Sequence, residues 1–212
     1  KVASATPRIR VADPVYNAQV ICEQAKEAAE HGAKIVVFPE LCITGYTCND
    51  LFLQELLLEK AKEALLTIAE ETGQLETLFL VGLPVDKDGR LYNVAAVLYR
   101  GRILGMIPKK NIPMYAEFYE GRHFTPGEET VTEYRLGKQV IPFGSNLLFR
   151  CEELPELILG CELCEDLWVA EPPSTSHALM GATVIANLSA SNETVSKDDY
   201  RTLLIKASSA RL

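Results

Sequence analysis

The most constraining feature of the sequence is a short run, Ile35-Val36-Val37-Phe38, set between two stretches of helical period. An unalternated, mainly β-branched run of this kind marks a strand buried on both faces. Upstream, Asp13 and Pro14 supply a helix N-cap and first helical residue, and Ala18, Ile21, Cys22, Ala25 and Ala28 recur at helical spacing until Gly32. Downstream, from Asn49 and Asp50, leucines, alanines and an isoleucine at 53, 57, 61, 64, 65 and 68 trace a second helix, with Gly73 expected as its left-handed C-cap. A helix between two buried strands is the crossover of a parallel sheet, so the expected fold class is a layered α/β domain.

Residues 78–84, 91–99 and 102–107 then read as a meander, separated by Asp88-Gly89 and Arg100-Gly101 turns. Residues 111–129 carry aromatics, prolines and glycines without a period, a loop too long for an idle connection. Two or three short strands are expected in 130–150, a buried strand in 157–163, a helix from Pro173 to Gly181 and another strand in 183–188. Ser196 with Asp199 resembles a capping box opening a last helix, whose Tyr200, Leu203, Leu204 and Ala207 share one face. No stop signal follows before Leu212, so the expectation is one domain over residues 1–212, incomplete at its C-terminus.

Charge narrows the partners. With 21 Lys and Arg against 29 Asp and Glu in 212 residues, the net charge is −8, and the longest basic cluster is the pair Lys109-Lys110. Phosphate backbones find little to hold, so nucleic acid is not an expected partner. The apolar runs are strand-sized, whereas a membrane span needs about 20 apolar residues. Residues 1–13 lack the charged start, apolar stretch and cleavage site of a secretory signal, so a cytoplasmic setting is expected, with all six cysteines as free thiols.

In open α/β sheets the ligand site lies beyond the carboxyl ends of the strands. Three such ends carry distinctive groups: Glu40 after Pro39, Lys109 after Pro108, and Cys164 after the strand in 157–163. Each proline is expected to stop its strand ladder and turn the chain. Each residue alone has a bland reading, as a solvated charge or a small buried thiol, but three at equivalent places point to one rim. The chemistry that fits is acyl transfer through a thioester: Glu40 takes the thiol proton, and Lys109 holds the tetrahedral oxyanion.

Cys161 and Cys164 have CxxC spacing, but no helix start follows Cys161, and Cys42 and Cys48 do not form a matching pair. No metal is therefore expected, and Cys161 and Cys22 read as core residues. His31 suits a helix C-terminus. Trp168 reads equally as a core anchor or a pocket wall. Asn187-Leu-Ser-Ala-Ser-Asn192 suits a turn or a polar ligand, with the turn slightly favoured.

At this point the motifs become recognisable. Phe38-Pro-Glu-Leu41 with Thr44-Gly-Tyr46, Lys109-Lys-Asn-Ile-Pro113 and Cys164-Glu-Asp-Leu-Trp168 resemble the three motifs of the nitrilase superfamily of carbon–nitrogen hydrolases. The resemblance implies an αββα sandwich and a Glu-Lys-Cys triad that cleaves non-peptide C–N bonds, assigned to Glu40, Lys109 and Cys164. Longer stretches, including Gly45-Tyr-Thr-Cys-Asn-Asp-Leu-Phe52, Tyr115-Ala-Glu-Phe-Tyr-Glu120 and Leu188-Ser-Ala-Ser-Asn192, are similar to the glutaminase domains of glutamine-dependent NAD+ synthetases.

That resemblance implies hydrolysis of glutamine, with ammonia supplied to a synthetase domain that amidates nicotinic acid adenine dinucleotide. It also implies Glu120 as the accessory carboxylate, with Glu117 the runner-up, and Tyr115, Phe118, Glu165, Ser191 and Lys197 around the glutamine pocket. No cofactor is expected in residues 1–212; ATP and Mg belong to the synthetase domain, and a homo-oligomer is implied. The rival readings are a stand-alone amidase acting on another small amide and a catalytically silent partner-binding domain.

Overall fold

A computed structural model describes all of residues 1–212. The chain opens with β1 (Val2–Ser4), then α1 (Pro14–Glu30), whose N-cap Asp13 accepts the Tyr16 N–H at 3.1 Å. Next come β2 (Ile35–Val37) and α2 (Glu55–Glu71), followed by the meander β3 (Leu78–Lys87), β4 (Arg90–Tyr99) and β5 (Arg102–Pro108). After the long loop lie β6 (Thr132–Leu136), β7 (Gln139–Phe143), β8 (Leu148–Arg150) and β9 (Ile158–Leu163). The last elements are α3 (Pro173–Leu179), β10 (Val184–Leu188) and α4 (Lys197–Arg211). None of the helices is long and apolar enough to cross a membrane.

The strands form a seven-stranded sheet, ordered β1-β2-β3-β4-β5-β7-β6, and a three-stranded sheet, ordered β10-β9-β8. β1, β2 and β3 run parallel, as the α2 crossover demands, while β3, β4 and β5 alternate through tight turns. Ile35, Leu80, Ala95, Val97 and Ile107 of the first sheet pack against Leu159, Cys161, Leu163, Ala186 and Leu188 of the second. On the first sheet's other face, Ile21, Cys22 and Ala25 of α1 and Ala61, Leu65 and Ile68 of α2 cover Val36, Phe79 and Val81. Burying each larger aliphatic side chain contributes about 1.5–3 kcal/mol, so these two interfaces fix the sheets face to face. With α3 laid on the outer face of the second sheet, where Gly160 leaves room for the His177 ring, the layering is αββα.

Several local expectations are corrected. The second helix begins at Glu55, because residues Tyr46–Leu53 form a kinked 3-10 segment with Asn49 at φ 50°. Gly73 is not a left-handed cap; a Cβ there would lie 3.0 Å from the Glu70 carbonyl oxygen and 3.5 Å from Gly101, so its smallness serves close approach. Ser196 makes no side-chain cap, because it sits at φ 65°. Pro108 does not end the pairing, since Lys109 still donates its N–H to the Asn93 carbonyl at 2.8 Å. All six cysteines are free.

Candidate active site

Glu40 leaves β2 on a turn that crosses directly over β3 at Gly82. A Cβ on Gly82 would sit 2.3 Å from the Leu41 nitrogen and 2.6 Å from the Pro39 oxygen, so only glycine lets the two backbones meet. Leu41 takes φ 52°, and the Ile43 N–H donates to the Gly82 carbonyl at 3.1 Å, fixing the turn to the strand. Lys109 follows β5, and Cys164 follows β9 at φ 41°, a left-handed conformation that L-residues rarely adopt.

These ends converge. The Lys109 ammonium, 0% exposed, donates to Glu40 Oε1 at 2.7 Å and to Glu120 Oε1 at 2.6 Å. Asn93 lies between the same carboxylates, its Nδ2 donating to Glu40 Oε1 at 2.7 Å and to Glu120 Oε2 at 3.3 Å. The Tyr46 hydroxyl donates to Glu120 Oε1 at 2.8 Å, and the Ala190 N–H to Glu40 Oε2 at 3.0 Å. Glu117, by contrast, accepts from Asn192 at the surface, and Lys110 pairs with Glu129 there.

The electrostatics follow from burial and neighbours. Desolvation works to lower the Lys109 pKa, but Glu40, Glu120 and Cys164 outweigh it and hold it above the usual lysine value, so the ammonium stays charged. Burial, then the Glu40 charge, raises the Glu120 carboxyl. Burial, then the same Glu40 charge, pushes the Cys164 thiol up to about 12. Burial also raises the Tyr46 phenol, which remains a proton donor to Glu120. Cys164 therefore carries a neutral thiol, and a fixed cation lies within the same cluster.

A second network braces the turn of the thiol. Asp166, 1% exposed, accepts from the Leu163 N–H at 3.0 Å and from both the backbone N–H and Nδ2 of Asn111 at 2.8 Å, tying the segment after β9 to the loop after Lys109. The turn carrying Glu120 is held by Asp50, which accepts from Arg122 at 2.7 and 3.0 Å and contacts His123 at 3.0 Å.

Outside the buried cluster, Tyr115 packs edge-on to Phe118 at 5.6 Å and donates its hydroxyl to Glu165 at 2.9 Å. The Lys197 ammonium stands 5.0 Å from the Trp168 ring centre and 5.6 Å from that of Phe118, and donates to the Asn192 amide oxygen. Glu165 is thus met by a neutral phenol, and Lys197 by an amide and two aromatic faces, so neither charge is neutralised there. Trp168 also packs against the Tyr200 ring, at 5.6 Å between centres. Ser191 is half-buried and reaches only the Asn192 carbonyl, at 3.5 Å. Sequence reasoning missed Asn93 and Asp166; the available signal was a polar residue inside the apolar run of β4 and an acid beside the thiol.

This architecture, with a thiol, an ammonium and a carboxylate at strand ends of an αββα sandwich and a second carboxylate brought in by the long loop, is that of a C–N bond hydrolase. The chain belongs to the carbon–nitrogen hydrolase family, whose sequence profile matches residues 1–212. It is 41% identical over 211 residues to the glutamine-dependent NAD(+) synthetase of Mycobacterium tuberculosis, covering 100% of this chain and 31% of that protein. The corresponding Thermotoga maritima protein is 35% identical over 186 residues, covering 87% of this chain and 29% of that protein. The crystal structure of a glutamine-dependent NAD(+) synthetase from Cytophaga hutchinsonii superposes with a TM-score of 0.86 at 29% identity, over 98% of this chain and 33% of that one. An amidase from Nesterenkonia sp. shares the fold, with a TM-score of 0.72 at 21% identity over 98% of this chain and 70% of that one. The chain spans about a third of the length of the curated relatives it matches.

Proposed function

We propose that this chain releases ammonia from the side-chain amide of glutamine through a thioester on Cys164. The observation that carries this reading is the buried cluster in which a neutral thiol shares Glu40 with a permanently charged lysine. As sulfur attacks the amide carbon, Glu40 takes the thiol proton, and Lys109 stabilises the oxyanion that forms. Glu40 then returns that proton to the nitrogen as the C–N bond breaks, and ammonia leaves. Water attacks the thioester, Glu40 accepts its proton, and glutamate departs as the thiol is restored. Glu120, with Tyr46 and Asn93, keeps the lysine in place.

Glutamine is favoured over a simple amide by the two unneutralised charges. A free amino acid presents an ammonium that suits Glu165 and a carboxylate that suits Lys197, with Tyr115, Phe118 and Ser191 as further lining. The relatives' names support a further step in which the ammonia serves NAD+ synthesis in the intact protein; an ATP- and Mg-dependent synthetase domain acting on nicotinic acid adenine dinucleotide is what the resemblance of the motifs implies for that step. A diazo-ketone analogue of glutamine tests the core of the reading. It should modify one cysteine, mapped by mass spectrometry to Cys164, with free glutamine protecting; labelling at Cys161, Cys42 or Cys48 would overturn it.

A further inference from the structure

The buried polar groups behind the site are not used by the chemistry above. Glu162, 2% exposed, lies on β9 two residues before Cys164, on the side of the strand facing α3. Its Oε2 accepts the Ser174 N–H at 3.0 Å, and its Oε1 accepts from Asn187 Nδ2 at 3.3 Å. Asn187 is its register partner on β10. Because Glu162 offers acceptors, it draws the NH2 end of the Asn187 amide and turns Oδ1 the other way. That oxygen accepts the Ser189 hydroxyl at 2.6 Å, and the next residue, Ala190, donates its N–H to Glu40 Oε2 at 3.0 Å. A continuous path therefore runs from the strand that carries the thiol to the carboxylate that faces it.

We propose that Glu162, Asn187 and Ser189 are positioning residues that fix the turn after β10, so that the Ala190 N–H aims the free oxygen of Glu40. Glu40 Oε1 is already occupied by Lys109 and Asn93, which leaves Oε2 as the oxygen available for proton transfer. Its single backbone donor sets the carboxylate plane, and that donor is held by side chains on the second sheet. The relay thus locks the first sheet's base to the second sheet's nucleophile, two groups that no shared strand connects. The inference rests on the reading of Glu40 as the general base.

The test uses Ser189→Ala, Asn187→Ala, their double variant and Ser189→Thr in the intact protein, with Glu40→Gln as reference and glutamate release as the readout. Each single variant should lower kcat about tenfold with KM kept within about twofold, the cost of one lost orienting hydrogen bond. The double variant should lose no more than either single one, and Ser189→Thr should recover most of the rate. Full kcat in folded Ser189→Ala and Asn187→Ala, losses in KM alone, or additive losses would overturn the relay while an inactive Glu40→Gln keeps the base. Retention of kcat by Glu40→Gln would instead overturn the base reading itself.

Discussion

At the scale of single residues, the site is organised around a cation that cannot leave. Lys109 donates to two carboxylates and is fully buried, so removing it leaves two acids facing each other in the dark; breaking such a buried pair costs about 3–5 kcal/mol. Lys109→Met and Glu40→Gln should lower kcat by about two to four orders of magnitude with little change in KM. A rise in KM with kcat kept would show that these groups merely bind. The thiol gives a second prediction. With its pKa pushed to about 12, Cys164 should react with N-methylmaleimide slowly at neutral pH, and the rate should still be rising above pH ~10, where a free cysteine of pKa ~8.5 has levelled off. Stopped-time mass spectrometry across pH measures this directly, and a plateau near neutrality would refute it. Glu40, Lys109 and Cys164 were legible because each follows an apolar run that stops. Asn93 and Asp166 were not, because their worth depends on partners 53 and 55 residues away in the chain.

At the scale of elements, Gly82 shows how a strand interior sets the place of a side chain on another element. The turn of residues 39–41 rests on it with no room for a methyl group. Gly82→Ala must push that turn off β3, since neither backbone is a flexible side-chain end. Misplacing the base by about 1 Å costs about 10²-fold in kcat, and the overpacking costs about 1–3 kcal/mol of stability. Steady-state kinetics beside a urea titration separate the two effects; wild-type kcat in Gly82→Ala would refute the contact. From β2 onward the strands and their order of appearance could be read from apolar runs and paired turn residues, whereas the three-residue β1 was not expected as a strand. The start of α2 could not, because the leucine period runs through a segment whose backbone breaks at Asn49. Nor could the reason for Gly73, which is the passage of Gly101 beside it, a fact of packing that local sequence does not carry.

At the scale of the whole molecule, the chain corresponds to about a third of relatives that are named for a synthesis, whereas its own site suits a hydrolysis. On the proposed function, forming an amide from a carboxylate requires an activation that the hydrolysis does not, so the two reactions are expected at separate sites. The intact protein carrying Cys164→Ala should lose NAD+ formation from glutamine but keep it from free ammonium salts, as followed by chromatography. Loss of both in a folded variant would refute the division of labour. The left-handed backbone at Cys164 reaches further than catalysis. An L-residue there costs about 1–2 kcal/mol, against about 0.4–1 kcal/mol of chain entropy that glycine would lose on folding. Cys164→Gly should therefore melt a few degrees above Cys164→Ala in calorimetry, because about 1 kcal/mol shifts a domain of this size by about 2–4 °C. Durability and turnover then pull in opposite directions on the backbone of a single position, where a reacting side chain requires an L-residue and the turn favours glycine.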